Sequence, residues 1–148
     1  MAGEYRVVVG VDGSAVSVRA LRWALAEAAA RGGSVQAVTA WGWADVEGDG
    51  AVDLDALEAQ TAAALATVVA EAQAAVPGAP VEPQTLFGRA VDVLPDAARG
   101  ADLLVVGSHG RGRMLRALLG SVADACLRAR VCPVVVLPAD AADAPPAG

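Results

Sequence analysis

At 148 residues, 55% hydrophobic and only 3% aromatic, the chain is long enough to bury a core built from small aliphatic side chains. Its formal net charge of −6 disfavours nucleic acid and anionic membrane as partners, where a basic face supplies the affinity. All 11 basic residues are Arg, which excludes mechanisms that need a lysine, the Walker-type phosphate loop and Schiff-base chemistry among them.

Arg6–Val11 (RVVVGV) is a short β-branched run closed by Asp12-Gly13-Ser14, the pattern of a strand buried on both faces. Ser14 is a good N-cap for a helix from Ala15 to about Arg31, with Val18, Leu21, Leu25 and Ala28 at helical spacing and Gly32-Gly33 as its stop. Ser34–Ala40 reads as a second strand and Trp41–Gly50 as a turn-rich loop. A long helix is predicted over Leu54–Val76, on a stripe of Leu54, Leu57, Leu65, Val68, Ala72 and Val76, ended by Pro77-Gly78. Val81–Phe87 is a third strand. Val93–Arg99 is a short helix, with Pro95 expected in its first turn, where N–H groups lack helical partners. Ala101–Val106 is a fourth strand, Ser121 to about Arg128 a last helix and Val134–Leu137 a fifth strand. Residues 1–138 are expected to form one domain. The Ala/Asp/Pro-rich tail, 139–148, is expected to be unstructured.

Strands alternating with helices imply an α/β fold, an open five-stranded parallel sheet with helices on both faces. Ligands of such sheets bind beyond the carboxyl ends of the strands, where strand order reverses. That directs attention to Asp12–Ser14 and to Gly107–Ser121. No stretch reaches the roughly 18 apolar residues of a membrane span, and the opening segment is expected not to be a signal peptide. Cys126 and Cys132 form no CxxC pair, so reduced thiols in a cytoplasmic protein are expected rather than a disulfide or zinc site.

The stretch GSHGRGRMLRALLGS, residues 107–121, sets Gly107, Gly110 and Gly120-Ser121 around a helix start. Bare backbone beside a helix N-terminus is an anion site, because unpaired N–H groups and the helix dipole favour negative charge. Gly110 and Gly112 also fit a plain flexible loop, and Ser121 with Asp124 fits an ordinary capping box. Asp12 fits a turn residue. Trp41 and Trp43 suit either a base to stack on or a core to cover. His109, the one histidine, reads as a phosphate or loop contact rather than a catalytic base, and of Arg111, Arg113 and Arg116 one is expected to touch phosphate.

Gly107-x2-Gly110-x9-Gly120-Ser121, with Val9-Gly10-Val11-Asp12-Gly13-Ser14 and Cys132-Pro133-Val134-Val135-Val136, resembles the ATP-binding branch of the universal stress protein family over residues 5 to 137. The resemblance implies a Rossmann-like, adenine-nucleotide α-hydrolase-like sheet of order 3-2-1-4-5. It also implies a stress-response module that binds ATP with Mg or Mn, hydrolyses it slowly at most, and is frequently a homodimer. Carried over, Gly10, Val11 and Asp12 lie against the nucleoside, with Asp12 on the ribose; Val11 and Ala40 line the adenine and Val106 flanks sugar and base. Gly107, His109, Gly110, Gly120, Ser121 and Val122 surround the triphosphate, with Arg111 in reach. The chain departs from the family pattern at Arg113, where a third glycine is common, at His109, and at Ala123, which lacks a frequent hydroxyl. An AMP- or cyclic-nucleotide-binding regulator is one alternative. An adenylyl-transferring enzyme is another, although its HxGH and SGGxDS signatures are absent. The apolar strand Val134–Leu137, expected at the sheet edge, is the predicted dimer contact.

Overall fold

The computed structural model describes residues 3–46, 52–109 and 119–139. Its strands are β1 (Arg6–Gly10), β2 (Ser34–Trp41), β3 (Val81–Phe87), β4 (Leu103–Gly107) and β5 (Val134–Leu137). Its helices are α1 (Ala15–Ala30), α2 (Leu54–Ala75), α3 (Ala90–Ala97) and α4 (Ser121–Ala129), with a 3-10 turn at Trp43–Asp45. All strand pairs are parallel, in the order β3-β2-β1-β4-β5 expected from the sequence.

Alternation along the central strands divides the core. Val7 and Val9 of β1, with Leu103 and Val105 of β4, pack under α1 and α2. Val8, Val38, Leu104 and Val106 point the other way, onto Leu94 of α3 and Ala123 and Cys126 of α4. Both faces are therefore dry, which is why β1 and β4 read as unbroken apolar runs. Helix α1 buries Ala20, Leu21, Ala24, Leu25 and Ala28, a stripe in which three alanines alternate with two leucines against the sheet.

Several features differ from the sequence reading. Strand β2 continues through Trp41, which pairs with Phe87 of β3, so the supposed loop at Trp41 begins as sheet and then turns through Trp43–Asp45. Helix α2 buries Leu65, Val69 and Ala72, whereas Leu54 and Leu57 stay half exposed. Helix α3 begins at Ala90, three residues before the expected start, which places Pro95 in the second turn rather than the first. The helix tolerates it because it is short, ends at Ala97, and is held by buried Leu94 and Ala98. Strand β4 starts at Leu103 and runs to Gly107, since Ala101 N–H still bonds the Ala98 carbonyl in a turn. Of the tail, Pro138 and Ala139 are described. The Pro138 carbonyl accepts from Arg19 Nη2 at 2.5 Å, and Ala139 N–H donates to Ser108 Oγ at 2.9 Å.

Candidate functional site

Order 3-2-1-4-5 reverses direction between β1 and β4, and there a cleft of about 770 Å3 opens at the strand tips. Gly10, Val11, Asp12, Ala40, Val106, Gly107, His109, Gly120, Ser121 and Val122, all singled out from the sequence, line it. Gly110 and Arg111 lie outside the described residues, as do Gly112, Arg113 and Arg116.

The β1 side is a tied turn. Asp12 Oδ1 accepts from Ser14 N–H at 2.9 Å and from the Ser14 hydroxyl at 2.5 Å, the turn role its Asp-Gly setting suggested. Ser14 in turn caps α1 by accepting from Ser17 N–H. Ser17, buried and unremarked in the sequence, donates its hydroxyl to the Ser14 carbonyl and accepts Asp12 N–H at 3.2 Å. Val11 N–H bonds the Val38 carbonyl and Thr39 Oγ1 donates to the Val11 carbonyl, which locks the tips of β1 and β2 together. One end of the cleft is thus rigid before any ligand arrives.

On the β4 side, Ser108 is the hub. Its N–H bonds the Leu137 carbonyl at 2.7 Å, its carbonyl accepts Gly120 N–H at 2.5 Å, and its hydroxyl lies 3.0 Å from His109 Nδ1 while accepting Ala139 N–H. No sequence signal marked Ser108, because its partners come from three separate segments. The Gly120 amide is consequently spent on the protein. Gly120 is the N-cap of α4 and Ser121 its first residue, so the capping box of Ser121 with Asp124 does not form. Asp124 N–H closes the first turn on the Gly120 carbonyl at 3.0 Å. The amides of Ser121, Val122 and Ala123, all lining the cleft, have no acceptor among the described residues. These three, rather than the glycine itself, form the anion-binding end.

Gly10 and Gly107 are bare for packing. A Cβ on Gly107 would come within 2.9 Å of Val16 Cγ1 in α1, and one on Gly10 within 2.8 Å of Leu94 Cδ1 in α3. Close helix–strand approach is reason enough for both glycines, so neither requires a ligand to explain it.

The far side of the cleft, after β2 and β3, was largely missed. Gly42, Trp43, Asp45, Phe87, Gly88, Arg89, Ala90 and Leu94 all face it. Arg89 caps α3 through its backbone, with no side-chain bond to the helix amides, and pairs with Asp92 at 3.0 Å on the surface. Such a cap carries no Ser, Thr, Asp or Asn signature to read. Among the described residues no cluster of His, Cys, Asp and Glu suits a metal ion. Cys126 and Cys132 are both free thiols.

A sequence model described as the universal stress protein family matches residues 5–138. Universal stress proteins of Mycobacterium tuberculosis and Mycobacterium bovis are 39% identical over 130 residues, covering 88% of this chain and 44% of theirs. The chain spans less than half the length of these curated relatives. Among solved structures, a universal stress protein in complex with cAMP is similar at 32% identity, with a TM-score of 0.71 and coverage of 93% of this chain and 98% of that one. One from Archaeoglobus fulgidus in complex with dAMP is 27% identical, with a TM-score of 0.62 over 92% and 98%. Sheet order agrees with these likenesses, and the chain belongs to the universal stress protein family.

Proposed function

We propose that the cleft holds an adenine nucleotide, and that the protein is a nucleotide-binding stress-response module rather than an enzyme. The observation that carries this reading is the pairing, in one cleft, of three amides at the start of α4 that have no acceptor among the described residues with an apolar wall of Val11, Val38, Ala40 and Val106. Such a cleft suits a ligand that is anionic at one end and flat and apolar at the other. That universal stress proteins covered over 98% of their own chains have been solved with cAMP and dAMP supports the same reading.

In this reading the ligand is ATP, with Val11 and Ala40 against the adenine, Asp12 on the ribose and Val106 beside the sugar. Gly107, His109, Gly110, Gly120, Ser121 and Val122 surround the phosphates, with Arg111 as a side-chain contact. A Mg or Mn ion would accompany the phosphates and offset their charge; no cluster of His, Cys, Asp and Glu among the described residues suits one. Hydrolysis is slow. The carboxylates lining the cleft, Asp12 and Asp45, are already engaged by Ser14 and by Gly42 N–H, so neither is placed as a base for water. A cytoplasmic setting, with residues 1–138 as one domain, completes the proposal; no helix among the described residues is long and apolar enough to cross a membrane.

A second reading, a cyclic-nucleotide or AMP binder, is favoured by one feature: the Gly120 amide is used by Ser108 and Ala123 has no hydroxyl, so fewer donors remain for a long phosphate chain. Calorimetric titration with ATP, AMP, cAMP and adenosine separates the two. Ser121→Asp tests the anion end, and a carboxylate is well tolerated in a first helical turn. The variant is expected to lose ATP affinity at least tenfold and to keep adenosine affinity. Equal ATP binding by the variant and the wild type would remove the site from α4.

A further inference from the structure

One wall of the cleft has no part in the contacts above. Trp43 is 64% exposed and Phe87 is 50% exposed, at the tips of β2 and β3, while Trp41 beneath them is 7% exposed. Leaving two large aromatic faces in water forgoes the stabilisation that burial supplies. Yet the platform is fixed. Asp45 Oδ2 accepts Gly42 N–H at 2.8 Å, Asp45 N–H returns to the Gly42 carbonyl at 2.9 Å, and Gly88 N–H bonds the Trp41 carbonyl at 2.8 Å. Phe87 meets Trp41 and Trp43 edge to face, with centroids 5.0 and 6.1 Å apart and planes at 82° and 90°. T-shaped contacts do not stack rings flat on one another, so they leave room for a further flat ring at the rim.

Placement along the sheet adds a second constraint. β2 lies two strands from β4, roughly 10 Å at ordinary strand spacing, and β3 one spacing beyond it. The aromatic rim and the amides of α4 therefore occupy opposite ends of the same cleft. A ligand whose phosphate meets α4 extends its other end toward Trp43.

We propose that Trp43, backed by Phe87, is the wall against which the ligand's flat heteroaromatic base stacks, and that it favours purines over pyrimidines through their larger ring area. This rests on the cleft being a nucleotide site. Affinities of ATP, CTP, adenosine and inorganic tripolyphosphate, measured by calorimetry on wild type, Trp43→Ala and Trp43→Phe, test it. Trp43→Ala is expected to weaken ATP and adenosine by a shared factor of about ten, the size of one lost base–aromatic contact, and to leave tripolyphosphate unchanged. Trp43→Phe keeps most of the affinity, and wild-type ATP binding exceeds that of CTP. Because Trp43 is mostly exposed, the alanine variant should retain the wild-type circular dichroism spectrum. Unchanged adenosine binding in Trp43→Ala, or an equal loss for tripolyphosphate, overturns the stacking wall while leaving the nucleotide site standing. A wild type that takes up neither ATP nor adenosine overturns both.

Discussion

Among single residues, Cys126 gives the clearest pH dependence. Burial against the sheet pushes its thiol up to about 11, with a smaller contribution from Cys132. A pKa raised in the folded state means the native protein holds the proton more tightly than the unfolded chain. That contribution to stability is complete below the unfolded value near 9 and disappears as pH rises through about 11. Urea midpoints should therefore fall between pH 9 and pH 11, and Cys126→Ala should flatten the fall while lowering stability at pH 8. At pH 8 a thiol reagent should reach half-buried Cys132 well before Cys126. A pH-independent difference between the two proteins would show that the thiol ionises as readily folded as unfolded. The residue scale also shows what spacing can and cannot convey. Gly107 and Gly120, both expected at the phosphates, also serve the protein itself: Gly107 leaves room for Val16, and Gly120 N–H donates to the Ser108 carbonyl. Glycine spacing points to where backbone comes close, but it does not say which partner approaches.

At the scale of elements, the helix ends carry most of the local design. Asp53 caps α2 by accepting Ala56 N–H at 3.0 Å, and Ser14 caps α1; both are legible as residue types. Helix α4 ends at Arg130 with φ 55 and ψ 36, a left-handed conformation that glycine adopts without strain. Arg130 is exposed, so Arg130→Gly should raise stability by about 0.5–1 kcal/mol, seen as a higher urea midpoint at constant slope. A lower midpoint would mean that the arginine makes contacts worth more than the backbone strain. The start of α3, which has no side-chain cap, is the one that differs from the sequence reading. α3 begins on the backbone of Arg89, and only its packing on the sheet, through Leu94 and Ala98, reveals where it lies.

For the whole molecule, alternation of strand and helix was enough to read a parallel α/β sheet, and likeness to a family supplied its order. The cleft's β1 and β4 sides followed from that order. Its β2–β3 side did not, because Trp43 is far in sequence from Phe87 and Arg89, and they come to one cleft only once β3 pairs with β2. The two sheet edges also differ. β3 is blunted by Pro83 and exposed Glu82, whereas β5 offers Val134, Val135 and Val136 with no charge or proline among them. We propose that β5 pairs antiparallel with its copy in a second chain. Light scattering at tens of micromolar should give twice the 14.7 kDa chain mass, and a monomeric mass would refute the pairing.

Ser108 has a practical corollary. By holding Leu137, Ala139 and Gly120 at once, it clasps the point where the polypeptide leaves the sheet to the pole of the cleft that favours anions. A segment inserted directly after Ala139 would start at the doorstep of that pole, and a cationic one would compete for its visitors. The opposite end of the chain enters at Arg6, at the base of a parallel strand and away from the mouth. Grafts intended to leave ligand uptake undisturbed belong there.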